Sequence, residues 1–192
     1  MAISVRKVYL GLCLVGIVAI LPFSRAEASS LVGGPAPSFE LQALDGKVYS
    51  LAQLRSESYV LLVFWSTQCP FCRELLPKLN TLEKQPGVAA LRVAAIDVGF
   101  EDPTHVQDYV KRYKLDYLIL NDDAQKADIT KAYGVVGTPT IFLISPAGAV
   151  LYAGHELPDF RRFLPAPAPG NQPGPTASQP ANAGDTLRPQ AQ

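Results

Sequence analysis

The sequence predicts an α/β domain in which a central mixed β-sheet is flanked by helices. Three observations carry this. Tyr59–Trp65 and Leu91–Ile96 are continuous apolar runs, as in strands buried on both faces. Between and after them lie stretches with apolar residues at helical spacing. The last two strands, Thr140–Ile144 and Ala149–Tyr152, are joined by the turn Ser145-Pro146-Ala147-Gly148. Strands that alternate with helices first and pair as a hairpin last give a mixed sheet rather than an all-parallel one.

In chain order, the N-terminus reads as an export signal. Arg6 and Lys7 precede an apolar run from Val8 to Phe23, broken by Pro22. Ala26 and Ala28 then supply the A-x-A pattern a signal peptidase accepts. Residues 1–28 are expected to be a signal peptide cleaved after Ala28, with an uncleaved membrane anchor as the alternative. Leu12 precedes Cys13 where lipoprotein processing needs a small residue, so a lipid anchor is not expected. Gly33-Gly34-Pro35 marks irregular chain. Phe39–Leu41 and Lys47–Tyr49 flank Asp45-Gly46, a hairpin signal, and Leu51–Leu54 fits one helical turn.

Leu75, Leu76, Leu79 and Leu82 place a helix over Cys72–Lys84, with Pro77 expected to kink it. Asp102 and Pro103 form an N-cap and first helical position, so a helix is expected from Pro103 to about Tyr113. Tyr117–Leu120 reads as a short strand. Asn121-Asp122-Asp123 is expected to cap a helix that ends at Gly134, and a last short helix is expected over Pro158–Leu164. From Pro165 to Gln192 the chain is rich in Pro, Ala, Gly and Gln, a composition expected to stay disordered. The folded domain is therefore placed at 34–164, with no internal repeat.

Lys and Arg number 17 and Asp and Glu 17, so the net charge is zero, and no basic run or stripe points to nucleic acid. Once the signal is removed, only Cys69 and Cys72 of the 3 cysteines remain. In an exported chain this two-residue gap points to a disulfide that forms and breaks in an oxidising compartment.

The segment Val63-Phe64-Trp65-Ser66-Thr67-Gln68-Cys69-Pro70-Phe71-Cys72-Arg73 runs from a buried strand into a helix. Cys69 falls just before that helix and Cys72 in its first turn. Residues three apart on a helix lie about 5–6 Å apart, the span a disulfide bridges. Unpaired N–H groups at the helix start favour an anion, so Cys69 is the expected exposed nucleophile and Cys72 the resolving thiol. Two rival readings use the same pair: a structural disulfide in a redox-silent binding module, and a copper(I) carrier. A four-residue loop constrains the unfolded chain little, and structural zinc needs four ligands that the sequence does not offer. Gly137-Thr138-Pro139-Thr140 precedes a strand, and sequence alone leaves the Thr138–Pro139 isomer open.

Val63-x-Trp65-x-x-x-Cys69-x-x-Cys72 with Pro77, followed by Gly137-Thr138-Pro139-Thr140, resembles thioredoxin. Pro35-x-Pro37-x-Phe39, Leu44-Asp45-Gly46-Lys47 and the extra helix and strand between Asp97 and Leu120 resemble the exported TlpA/ResA/CcmG group, with MauD-like proteins close by. The resemblance covers about residues 34–164. It implies a thioredoxin fold with an N-terminal hairpin and an inserted helix-strand, a cis Pro139 facing the disulfide, and a Thr138 backbone that pairs with an extended substrate segment. It also implies a substrate-binding role for Trp65, Pro70, Phe71, Thr138 and Pro139 around the redox-active Cys69 and Cys72. The loops Gly99–Asp102 and Ala153-Gly154-His155 are expected to share the substrate groove. Asp102 is expected to act chiefly as a helix cap, and His105 and His155 to be surface residues.

Three departures stand out. Val63 replaces the buried Asp of thioredoxin, and Leu75 replaces the Glu that follows the second Cys in the TlpA/ResA group; in relatives these carboxylates relay protons for the resolving thiol. Gln68 also replaces the Trp often found before the first Cys. The expected function is that of a periplasmic thiol–disulfide oxidoreductase, with cytochrome c or other redox-protein maturation as the implied setting. It is expected to need no cofactor or metal. Its expected partners are protein thiols and disulfides and a membrane electron donor or acceptor.

Overall fold

A computed structural model describes residues 28–85, 88 and 90–164. The expected signal peptide and C-terminal tail lie outside the described residues, apart from Ala28. Strand β3 (Tyr59–Trp65) is the spine of a five-stranded sheet with order β5-β4-β3-β6-β7. β4 (Leu91–Asp97) and β5 (Leu118–Leu120) continue parallel to it, while β6 (Thr140–Ile144) runs antiparallel to β3 and β7 (Val150–Gly154) antiparallel to β6. The mixed sheet expected from the sequence is therefore present. Its cause is visible in the connections, because a helical crossover joins parallel strands and a tight turn joins antiparallel ones.

The period-2 alternation of β3 divides the core. Leu61, Val63 and Trp65 face one layer, with α2 (Pro70–Leu79) and α3 (Pro103–Tyr113) against them. Val60, Leu62 and Phe64 face the other, packed by α1 (Leu51–Leu54) and α4 (Lys126–Ala132). A separate hairpin of β1 (Glu40–Gln42) and β2 (Val48–Ser50) turns at Gly46, whose φ of +81° suits glycine. It docks on β5 through Leu44 N–H to the Ile119 carbonyl (3.1 Å) and Asn121 N–H to the Gln42 carbonyl (2.9 Å).

Several boundaries differ from the sequence expectation. The Cys72–Lys84 helix is two elements, because α2 stops at Leu79 and a 3₁₀ turn covers Leu82–Lys84. Pro77 sits inside α2, where it has no N–H to donate to the Arg73 carbonyl and so weakens the turn before it. The Asn121-Asp122-Asp123 cap does not form. α4 starts at Lys126 behind Gln125, with no side-chain cap. The two aspartates are drawn elsewhere: Asp122 accepts from Gln42 N–H (3.2 Å) and Asp123 pairs with Lys126 (2.7 Å). Gly134 follows the end of α4 at φ +60°, in the expected C-terminal glycine position. Over Pro158–Leu164 the helix is only a 3₁₀ turn at Phe160–Arg162.

Candidate active site

β3 delivers the chain to the sheet's C-terminal edge, and residues 66–69 turn it into α2. Cys69 is the N-cap of α2, Pro70 follows at the first helical position, and Cys72 lies in the first turn. Pro70 costs nothing there, since that N–H would be unpaired anyway. The two cysteines are joined as a disulfide with Cα atoms 5.2 Å apart.

The two sulfurs are not equivalent. Cys72 is 0 % exposed and Cys69 7 %. The sequence led to an exposed Cys69, whereas the structure leaves it only a sliver of access, because Thr138 closes over it: its Sγ lies 3.3 Å from the Thr138 carbonyl oxygen. The Cys72 N–H donates to Cys69 Sγ at 3.1 Å. That donor and the positive end of α2 stabilise negative charge on Cys69 when the bond opens. A reduced Cys69 thiol can in turn donate to the Thr138 carbonyl.

The Thr138–Pro139 peptide is cis. Thr138 is half-buried and Pro139 buried, while Pro70 and Phe71 stand on the surface, Phe71 being 72 % exposed. Trp65 is 0 % exposed, with its ring 5.3 Å from that of Tyr109. It supports the Cys pair from inside the core and cannot touch a partner, so the expected substrate contact at Trp65 is corrected.

The two loops expected to share one groove line neighbouring depressions that both include Val136. A groove of about 400 Å³ runs beside the Cys pair between Gln68, Gly99, Phe100, Glu101, Val136 and Thr138. Ala153–His155 lines the adjoining depression with Val136 and Thr140. Asp102 caps α3, accepting from Thr104 N–H at 2.8 Å, and its side chain plays no part in the groove. His155 is more than a bystander: its Nδ1 lies 2.8 Å from the Pro139 carbonyl oxygen.

Three charged side chains were not singled out from the sequence, although one of them lies in the Gly99–Asp102 loop. Glu101 accepts from Thr67 N–H (2.9 Å) and from the Thr67 hydroxyl (2.6 Å), two residues before Cys69. Burial opposes its charge. Hydrogen bonds from the Thr67 hydroxyl, its own amide and the Thr67 and Gln68 amides outweigh this and hold the carboxyl below the usual glutamate range. Asp97, opposite Trp65 in the β3–β4 register, is 0 % exposed and pairs with Lys126 at 2.7 Å. Burial pushes its pKa up to about 6 against the pull of Lys126. Lys126 is itself raised, because Asp123 and Asp97 together outweigh its desolvation. Neither contact is local: they span 34 and 29 residues. Only a register prediction that set Asp97 at the sheet edge could have exposed the second.

A redox-competent Cys pair at a helix N-terminus, faced by a cis-proline, defines a thiol–disulfide oxidoreductase of thioredoxin fold. Residues 32–153 match the AhpC/TSA family. The chain is 33 % identical over 129 residues to the thiol-disulfide oxidoreductase ResA of Bacillus cereus, covering 67 % of this chain and 72 % of that protein. It is 30 % identical to ResA of Bacillus subtilis, covering 73 % and 76 %. Among solved structures, it resembles a DsbE-type thiol:disulfide interchange protein of Chlorobium tepidum (26 % identity, TM-score 0.59, 69 % and 90 % covered). The thioredoxin domain of a Bacteroides vulgatus thiol-disulfide oxidoreductase shares the fold (21 % identity, TM-score 0.58, 66 % and 89 % covered). The chain belongs to the AhpC/TSA family and, within its thioredoxin-like members, to the TlpA/ResA/CcmG group.

Proposed function

We propose that this protein works outside the cytoplasm as a reductant of disulfides in partner proteins, in the maturation of cytochrome c or another redox protein. The difference in access between Cys69 and Cys72 carries the mechanism, because only Cys69 offers a sulfur to a partner. The Cys69 thiolate attacks one sulfur of the partner disulfide, forming a mixed disulfide and releasing the other as a thiolate. Cys72 then loses its proton and attacks Cys69 Sγ. The Cys69–Cys72 bond forms, the second partner thiolate leaves, and two electrons have passed to the partner. A donor thiol pair must restore the reduced form, and a membrane protein is the source available outside the cytoplasm.

Glu101 favours the reducing direction. An ionised carboxylate on the segment before Cys69 disfavours the thiolate and hence the reduced state, and this lowers the potential. The Thr138 backbone and the exposed Pro70 and Phe71 are the proposed partner contacts. The export reading rests on residues 1–28, and the maturation reading on the resemblance to the TlpA/ResA/CcmG group carried by Pro35-x-Pro37-x-Phe39 and Leu44-Asp45-Gly46-Lys47.

Equilibration with glutathione redox buffers tests the direction. Trp65 is the only Trp and packs in the same core cluster as both cysteines, so its fluorescence reports the redox state. A potential at or below about −200 mV is expected; one near about −120 mV marks a strong oxidant and overturns the reducing role.

A further inference from the structure

A lysine in the first turn of a helix usually extends into solvent. Lys126 does not: its side chain is 9 % exposed and all three ammonium donors are engaged. They reach Asp97 Oδ2 (2.7 Å), Asp123 Oδ1 (2.7 Å) and the Gly99 carbonyl oxygen (2.8 Å). Asp97 Oδ1 in turn accepts from Gly99 N–H at 3.3 Å. Gly99 is thus held through both its carbonyl and its amide by one buried ion pair.

Gly99 is also where Glu101 comes to rest. The Glu101 carboxylate occupies the space a Cβ on Gly99 would fill, and from there Oε1 reaches the Thr67 amide and hydroxyl. The contacts form one line, from α4 through Lys126 to Gly99, through Glu101 to Thr67, and so to the segment that carries Cys69. A buried ion pair adds little net stability over apolar packing, so its value lies in the geometry it imposes.

We propose that Lys126 is a positioning residue for disulfide exchange with protein partners. It fixes the Val98–Glu101 loop, which walls the groove beside Cys69 and clamps Thr67 in place. A small disulfide needs only the Cys69 sulfur, whereas an extended partner chain also needs that wall. This rests on the reading that the partners are proteins.

The experiment uses the wild type, Lys126→Met and Gly99→Ala. Gly99→Ala leaves the ion pair in place and displaces the Glu101 carboxylate, so it breaks the same line from the other end and covers the case in which Lys126→Met does not fold. Two readouts are taken: hydrogen exchange of the Thr67 amide by NMR, and kcat/KM for insulin beside the rate with 2,2′-dithiodipyridine. Both variants are expected to speed Thr67 exchange. Both should also lower kcat/KM for insulin by about fivefold to tenfold, through KM, and several-fold more than the rate with dithiodipyridine. Unchanged Thr67 exchange, or equal losses with insulin and dithiodipyridine, overturns the proposal. A wild type that does not turn over insulin contradicts the protein-partner reading instead, and Thr67 exchange still decides whether Lys126 holds the clamp.

Discussion

Chemistry at the residue scale is set by where charge can settle near the two sulfurs. Cys69 has the Cys72 amide and the start of α2; Cys72 has neither Glu nor Asp at the positions relatives use, since Leu75 and Val63 stand there. Val63 is 0 % exposed and packs in the core, while Leu75 is partly buried at the edge of the same cluster. Glu74 is exposed, one step of about 100° around the helix, and does not substitute. Resolution by Cys72 is therefore expected to be slow. Leu75→Glu should speed the single-turnover decay of a mixed disulfide by about tenfold or more, in the range of general-base assistance; no acceleration means the missing carboxylate is irrelevant. Glu101→Gln tests the opposite effect. It keeps an acceptor for Thr67 and removes the charge, so the Cys69 thiolate gains and the potential should rise by about 15–30 mV in glutathione buffers. A fall in potential would show that Glu101 does not act through its charge.

Elements were legible in proportion to how local their causes are. The continuous apolar run of β3, the Asp45-Gly46 turn, the Asp102–Pro103 start of α3 and the Gly134 stop of α4 rest on neighbouring residues, and each lies where the sequence put it. The start of α4 was misplaced because Asp122 and Asp123 answer to Gln42 and Lys126, not to the nearest amides. Cys69, Cys72 and Pro139 could be read from motif and spacing. Glu101 and Lys126 could not, because they reach the site only when two distant loops meet. Local strain yields a further expectation. Lys114 ends α3 at φ +51°, a left-handed conformation that disfavours side chains. Lys114→Gly should raise the stability to urea by about 0.5–1 kcal/mol, and a loss would show that the lysine makes a compensating contact. Tyr133 ties α4 to the N-terminal segment by donating to the Pro37 carbonyl at 2.7 Å from a buried position. Tyr133→Phe should cost about 1–2 kcal/mol in the same assay.

Across the whole molecule, one buried charge shapes stability against pH. The Asp97 pKa is about 6 in the folded state against 3.8 for the free group. Between about pH 4 and pH 6 the folded protein holds more protons at this site than the unfolded chain, so this contribution to stability falls as pH rises through that window, by roughly 2–3 kcal/mol. Asp97→Asn should flatten the Tm profile between pH 4 and 6, and an unchanged slope would assign it to other groups. The account as a whole stands on Cys69 as the sulfur that meets the partner and Cys72 as the one that resolves it. The most direct test incubates reduced Cys72→Ser and Cys69→Ser variants with insulin and maps the adducts by mass spectrometry. The account predicts a stable mixed disulfide through Cys69 in Cys72→Ser and almost none in Cys69→Ser. Comparable adducts through Cys72 in the Cys69→Ser variant would contradict it.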